Sequence, residues 1–229
     1  MKYTTVFFDL DRTLWDFETN AKLAFDAIFT EFELVKYGIA SSDDFYVKYS
    51  YHNKILWDLY NKGEIIKETL KTMRFKLTLA DYNINNDMLA IALGDGYLKY
   101  SLSFNILFPG AKEIISHLKK AYKLGIITNG FEEIQHPKLR VTGLNRYFDA
   151  VITSEEAGYK KPDQRIFEYA LNKLNSTPDK TIMIGDDIDI DILGAKNAGI
   201  DQIYFNPEKV NCSDANYSIS NLMEIIDIL

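Results

Sequence analysis

Short apolar runs punctuate this chain, and each breaks off into polar or acidic residues. Val6-Phe7-Phe8 meets Asp9, and Leu124-Gly125-Ile126-Ile127 meets Thr128-Asn129-Gly130. Val151-Ile152 meets Thr153-Ser154-Glu155, and Ile182-Met183-Ile184 meets Gly185-Asp186-Asp187. Runs this short, and continuous rather than alternating, predict strands buried on both faces, as in a parallel sheet. Between them the period changes to that of helices. Ala111, Ile114, Ile115 and Leu118 follow the i, i+3, i+4, i+7 rule behind Pro109-Gly110, and Ile166, Phe167, Ala170, Leu171 and Leu174 do likewise behind Pro162. Strand alternating with helix predicts right-handed crossovers and a Rossmann-like, three-layer α/β sandwich. In such a sheet the strand C-termini share one edge, so the polar endings are expected to converge there.

From about Trp15 to Tyr100 the alternation stops. This stretch reads as consecutive amphipathic helices rich in Tyr and Phe, with no clear strand. One strand precedes it and the others follow it, which predicts an all-helical cap inserted after the first strand. The expected division is a catalytic core of 1–14 and 105–229 and a helical cap of 15–104. Composition agrees with a globular chain: of 229 residues, 47% are hydrophobic and 26% charged, which excludes disorder. The net charge of −7 argues against a nucleic-acid polymer as partner, although a bound cation can reverse the field locally for a small phosphate.

The single cysteine, Cys212, cannot form an intramolecular disulfide and is read as inert, which fits a reducing compartment. No apolar run is long enough to span a membrane, and the first residues reach Asp9 and Asp11 too soon for a signal peptide. A cytoplasmic protein with no membrane partner is therefore expected.

Asp9 and Asp11, two residues apart just past a predicted strand, would repel each other unless a cation or proton intervened. An isolated pair of this kind is most often an acidic turn or a helix cap. Here a second acidic cluster, Asp186, Asp187, Asp189 and Asp191, ends another predicted strand. Alone it could be an N-cap run. Together the clusters make a hard-oxygen site suited to Mg²⁺. An EF-hand loop fits poorly, because Ile192 and Ala198 stand where the turning Gly and the last Glu belong. Thr128-Asn129-Gly130 offers a hydroxyl, an amide and backbone N–H groups for phosphate oxygens, though the same triplet is also a good turn. Lys161 would supply a point charge, and neighbouring Lys160 leaves the choice between them open.

Asp9-x-Asp11-x-Thr13, Thr128-Asn129-Gly130, Lys161-Pro162 and Gly185-Asp186-Asp187-x-x-x-Asp191, in this order, resemble the haloacid dehalogenase superfamily of phosphohydrolases. The resemblance covers the whole chain, with the helical insertion as the family's cap. It implies Asp9 as nucleophile, forming an aspartyl-phosphate, and Asp11 as general acid and then general base. It implies Mg²⁺ held by Asp9, the Asp11 carbonyl and Asp186, with Asp187 or Asp191 behind them, and phosphate held by Thr128, Asn129 and Lys161. Arg12 stands where Gly is common in the family, and it either brings a cation to the site or points to solvent.

Within the superfamily, a haloacid dehalogenase is disfavoured, because such enzymes need neither an acid at the Asp11 position nor a Mg²⁺ site. A phosphomutase fits less well. A phospho-accepting receiver module would lack the helical insertion. His52, His117 and His136 are scattered and are not expected to be ligands, and His117 is expected to be exposed.

For the substrate, a small phosphate ester is expected. Asn53 to Trp57 with Tyr60 and Gly63, Ile126 to Phe131, and Thr142-Gly143-Leu144 with Tyr147-Phe148-Asp149 resemble the superfamily's pyrimidine 5′-nucleotidases. A nucleobase needs an aromatic face and polar donors, which Trp57, Asn53 and Arg74 could supply, with Phe131 walling the sugar. The plain alternative has Trp57 packed between helices and Arg74 solvated. Phosphoglycolate or a sugar phosphate is the competing substrate class.

Overall fold

The computed structural model describes residues 2–209 and 214–229, so Cys212 lies outside the described residues. Six strands form one parallel sheet: β1 (Thr5–Phe8), β2 (Lys123–Thr128), β3 (Ala150–Thr153), β4 (Thr181–Gly185), β5 (Asp201–Phe205) and β6 (Tyr217–Ile219). Their order is β3-β2-β1-β4-β5-β6, which puts the first strand in the interior of the sheet. The apolar runs became β1 to β4. β5 and β6 escaped the hydrophobic pattern, because β5 opens on Asp201-Gln202 and β6 is a three-residue edge with Tyr217 and Ser218 exposed.

The chain divides into two compact units, Met1–Phe17 with Asn105–Leu229, and Glu18–Phe104. Trp15, Asp16 and Phe17 thus stay with the sheet rather than opening the insertion. The reason is packing: Trp15 is buried in the sheet unit's core and pairs antiparallel with Leu107.

The inserted unit is carried by α1 (Phe17–Glu31), α2 (Ser42–Asn61), α3 (Lys67–Ala80) and α4 (Asp87–Ser101), with no strand among its described residues. Helix starts are capped as their sequences allow: Ser41 Oγ accepts from Asp44 N at 3.1 Å, and Asn86 Oδ1 from Leu89 N at 3.0 Å. The unit has its own aromatic centre. The Phe25 ring meets those of Phe45, Tyr46, Tyr49, Phe75 and Tyr97 at centroid distances from 4.6 to 6.0 Å.

Around the sheet run α5 (Ala111–Leu118), α6 (Glu132–Thr142), the short α7 (Ser154–Ala157), α8 (Gln164–Lys173) and α9 (Leu193–Asn197). Successive strand residues point to opposite layers. Val6, Phe8, Ile182 and Ile184 pack with Ile114, Ile115 and Leu118 of α5. Phe7, Ile127, Ile152 and Met183 pack with Ile166, Phe167, Ala170 and Leu171 of α8. Both faces are covered, which is why these strands read as continuous apolar runs. No helix of the described residues is long and apolar enough to cross a membrane.

Candidate active site

Register brings the strand ends together. Phe8 lies opposite Ile126 of β2 and Ile184 of β4, so the segments leading to Asp9, Thr128 and Asp186 leave one edge side by side. Asp9 N donates to Ile184 O at 2.8 Å, which continues the ladder to the carboxylate itself. Lys161 arrives from the loop after α7 and is 2% exposed. Its Nζ donates to Asp9 Oδ1 and to Asp191 Oδ1, both at 2.6 Å. Lys161, and not Lys160, is therefore the lysine that reaches the acidic centre.

Asn129 fixes that lysine from behind. Its Oδ1 accepts from Lys161 N at 2.8 Å and its Nδ2 donates to Lys161 O at 2.9 Å, so the amide clips the loop backbone. Thr128 Oγ1 accepts from Gly130 N at 3.0 Å, and Thr13 Oγ1 donates to Asp186 Oδ1 at 3.1 Å. Asp191 Oδ2 accepts from Asp187 N at 3.1 Å, which ties the cluster to the turn after β4. Asp187 itself turns to capping: its Oδ1 accepts from Asp189 N and Ile190 N at 3.0 and 2.9 Å.

Asp9, Asp186 and Asp191 each offer an oxygen to one point, all within 4.8 Å of one another. Burial pushes the Asp9 carboxyl up to about 7; Lys161 opposes this, while Asp191 and Asp11 add to it. Burial, then the charges of Asp191 and Asp9, hold the Asp186 carboxyl well above the usual carboxylate range. Lys161 shifts upward: burial works against its charge, but Asp191 and Asp9 more than compensate. Such crowding of hard, mutually repelling oxygens fits a small divalent cation, and the residues present fit Mg²⁺.

Asp11 stands apart from that centre. Its Oδ2 accepts from Gln135 Nε2 at 2.9 Å, and its Oδ1 pairs with Lys138 Nζ. Burial alone would raise the Asp11 carboxyl, but the Lys138 charge and hydrogen bond, then Gln135 and Arg12, lower it below the usual range. Gln135 and Lys138 do not figure among the residues expected from sequence, because a Gln and a Lys on a helix normally signal a solvated face. The available signal was their i, i+3 spacing, which puts both on one face of the helix behind the Thr128 loop. Arg12 is exposed and left-handed, with φ 63°, which explains why Gly is common there, and its guanidinium lies 4.4 Å from the Phe17 ring centre.

The remaining candidates lie elsewhere. Phe131 is buried at the start of α6. Within the helical unit Arg74 is buried, not solvated, and its Nη1 donates to Asn53 Oδ1 at 3.4 Å. Its guanidinium sits 5.4 Å from the Tyr97 ring centre and 5.8 Å from that of Tyr49, and its Nε makes no hydrogen bond. Trp57 is half-buried with an edge contact to Tyr60. His117 is exposed, His52 binds Asp81 and His136 faces Glu132, so none of the three joins the acidic cluster.

Known proteins resemble this chain over its whole length. YfnB, a HAD-hydrolase of Bacillus subtilis solved bound to magnesium, superposes with a TM-score of 0.90 and 29% identity over 100% of this chain and 99% of that one. Pyrimidine 5′-nucleotidase YjjG of Escherichia coli is 31% identical, covering 100% of this chain and 99% of its own. A glyceraldehyde 3-phosphate phosphatase of Methanothermobacter thermautotrophicus is 33% identical over 89% of this chain and 85% of its own. The family model described as haloacid dehalogenase-like hydrolase matches residues 3–199. With its acidic strand ends, its buried lysine and its six-stranded parallel sheet, the chain belongs to the haloacid dehalogenase-like hydrolases.

Proposed function

We propose that this hydrolase cleaves phosphate monoesters through an aspartyl-phosphate on Asp9, with nucleoside 5′-monophosphates as its substrates. The observation that carries the proposal is the buried Lys161 bridging Asp9 and Asp191 at 2.6 Å, beside Asp186. A carboxylate so held is a nucleophile with its charge partner already in place. An oxygen of Asp9 attacks phosphorus and the bond to the leaving oxygen breaks, that oxygen taking a proton from Asp11. A water oxygen then attacks phosphorus, the bond to Asp9 breaks, and the water's proton passes to Asp11. Thr128, the Asn129 backbone and Lys161 bind the phosphoryl oxygens. Asp9, the Asp11 carbonyl and Asp186 would hold Mg²⁺, with Asp191 positioning Lys161 and the cluster behind them. Bound there, Mg²⁺ would supply positive charge to offset that of the phosphoryl group.

The pyrimidine 5′-nucleotidase among the relatives supports a nucleotide substrate. So does the chemistry of the helical unit, proposed as the cap. A buried guanidinium with an unbonded Nε, next to Asn53 and aromatic rings, suits the acceptor edge of a nucleobase. Trp57 would add an aromatic face. The phosphatase among the relatives keeps a sugar phosphate as the second reading. The single cysteine fits action in the reducing cytoplasm.

Asp9→Asn preserves shape but cannot attack phosphorus, so turnover should fall by at least ~10³-fold, about 4 kcal/mol of barrier, with the fold intact. Retention of a tenth of wild-type rate by the folded variant would remove Asp9 as nucleophile. A panel of phosphate esters tests the substrate: uridine or thymidine 5′-monophosphate should lead. A hexose phosphate or phosphoglycolate ahead of every nucleotide would overturn that half of the proposal.

A further inference from the structure

Both oxygens of Asp11 are occupied by partners from one helix. Gln135 and Lys138 of α6 are 2% and 4% exposed, and both side chains end on this carboxylate. The Lys138 ammonium also lies against the rings of Trp15 and Phe17, at 5.1 and 5.8 Å from their centres. Gln135 turns its Nε2 to Asp11 and leaves Oε1 buried without a hydrogen bond. An amide that forgoes one hydrogen bond to direct the other is held for that contact. Gly130 completes the arrangement, because a methyl group there would overlap the Gln135 amide.

We propose that Gln135 and Lys138 are positioning residues that orient Asp11 as the base for hydrolysis of the aspartyl-phosphate. This rests on the phosphatase mechanism above. The geometry points to the second half-reaction: donors on both oxygens fix the direction of the carboxylate that must meet a small, otherwise unheld water. There Asp11 takes the proton as the water oxygen bonds to phosphorus and the bond to Asp9 breaks. Without the two contacts, Asp11 remains present but misaimed.

The test uses 4-nitrophenyl phosphate, whose leaving group departs without a proton, so the first step does not depend on Asp11. In Gln135→Leu and Lys138→Met, kcat should fall by about tenfold or more while kcat/KM, which reports formation of the phosphoenzyme, falls far less. A burst of nitrophenolate should precede the slow steady state, and acid quenching should trap the phosphoenzyme. Lys138→Arg, which restores charge and donors, should recover most of kcat. Gly130→Ala, which displaces the Gln135 amide without touching either residue, is the second route should the first variants fold poorly, and it should show the same split. Parallel losses in kcat and kcat/KM with no burst, or no loss at all, would overturn the inference while phosphatase activity stands. A wild-type protein inert toward every phosphate ester would instead bring down the proposed function, and this inference with it.

Discussion

Asp191 shows how far a single side chain governs the site. It is 2% exposed, and both its oxygens are committed, one to Lys161 and one to the Asp187 backbone. The space for it exists only because residue 185 has no side chain: a methyl there would overlap the Asp191 carboxylate. Gly185→Ala should therefore displace Asp191, leave Lys161 under-compensated, and cost about 1–3 kcal/mol of stability through overpacking. Turnover should drop by more than the stability loss explains. Urea unfolding alongside a rate measurement checks this, and a variant normal in both would refute it. At this scale the sequence was informative where chemistry repeats at short spacing, as at Asp9 and Asp11 or Asp186 to Asp191. It was silent where a partner comes from far away. Gln135 sits 124 positions from Asp11, and its i, i+3 spacing from Lys138 is too common on solvated helix faces to single it out. Of the two readings of Arg74 the solvated one fails, although an arginine on an amphipathic helix ordinarily faces water.

At the scale of elements, the strands that carry the acidic edge were legible because burial on both faces leaves an unbroken apolar run. β6 has no such burial, with one of its three residues buried, and carries no pattern to read. The helices of the inserted unit were legible as helices, but not their arrangement, which depends on which rings meet. Phe25 is at the centre of that unit, touching five other rings. Phe25→Ala should destabilise the protein by about 3–5 kcal/mol, the usual cost of emptying a buried aromatic site. Hydrogen exchange should locate the loss in α1 to α4. Undiminished protection there would show that the rings do not act as one core.

At the scale of the whole molecule, the proposed metal site would couple cation binding to pH. The Asp9 carboxyl, raised to about 7 by burial against Lys161's opposing pull, and the Asp186 carboxyl, held well above the usual range, favour protons that a bound cation would displace. A raised carboxyl adds stability in its protonated form and loses it as pH climbs through the folded-state pKa. A divalent cation replaces that loss only where the proton has left. The rise in Tm caused by Mg²⁺ should thus be small at pH 5.5 and grow through pH 7 to 8. An increment that stays constant over this window would disconnect the carboxylates from the metal. The connection of the two units has a different consequence. Asp16 N bonds Ile106 O at 3.2 Å and Phe108 N bonds Leu14 O at 2.9 Å, so the strands leaving and re-entering the sheet unit run paired. Paired antiparallel residues lie about 5 Å apart, a gap that a tight turn can close. The sheet's order and register owe nothing to what is spliced in at that doorway. A lineage could exchange the whole helical cassette without rewriting a residue of the acidic strand ends.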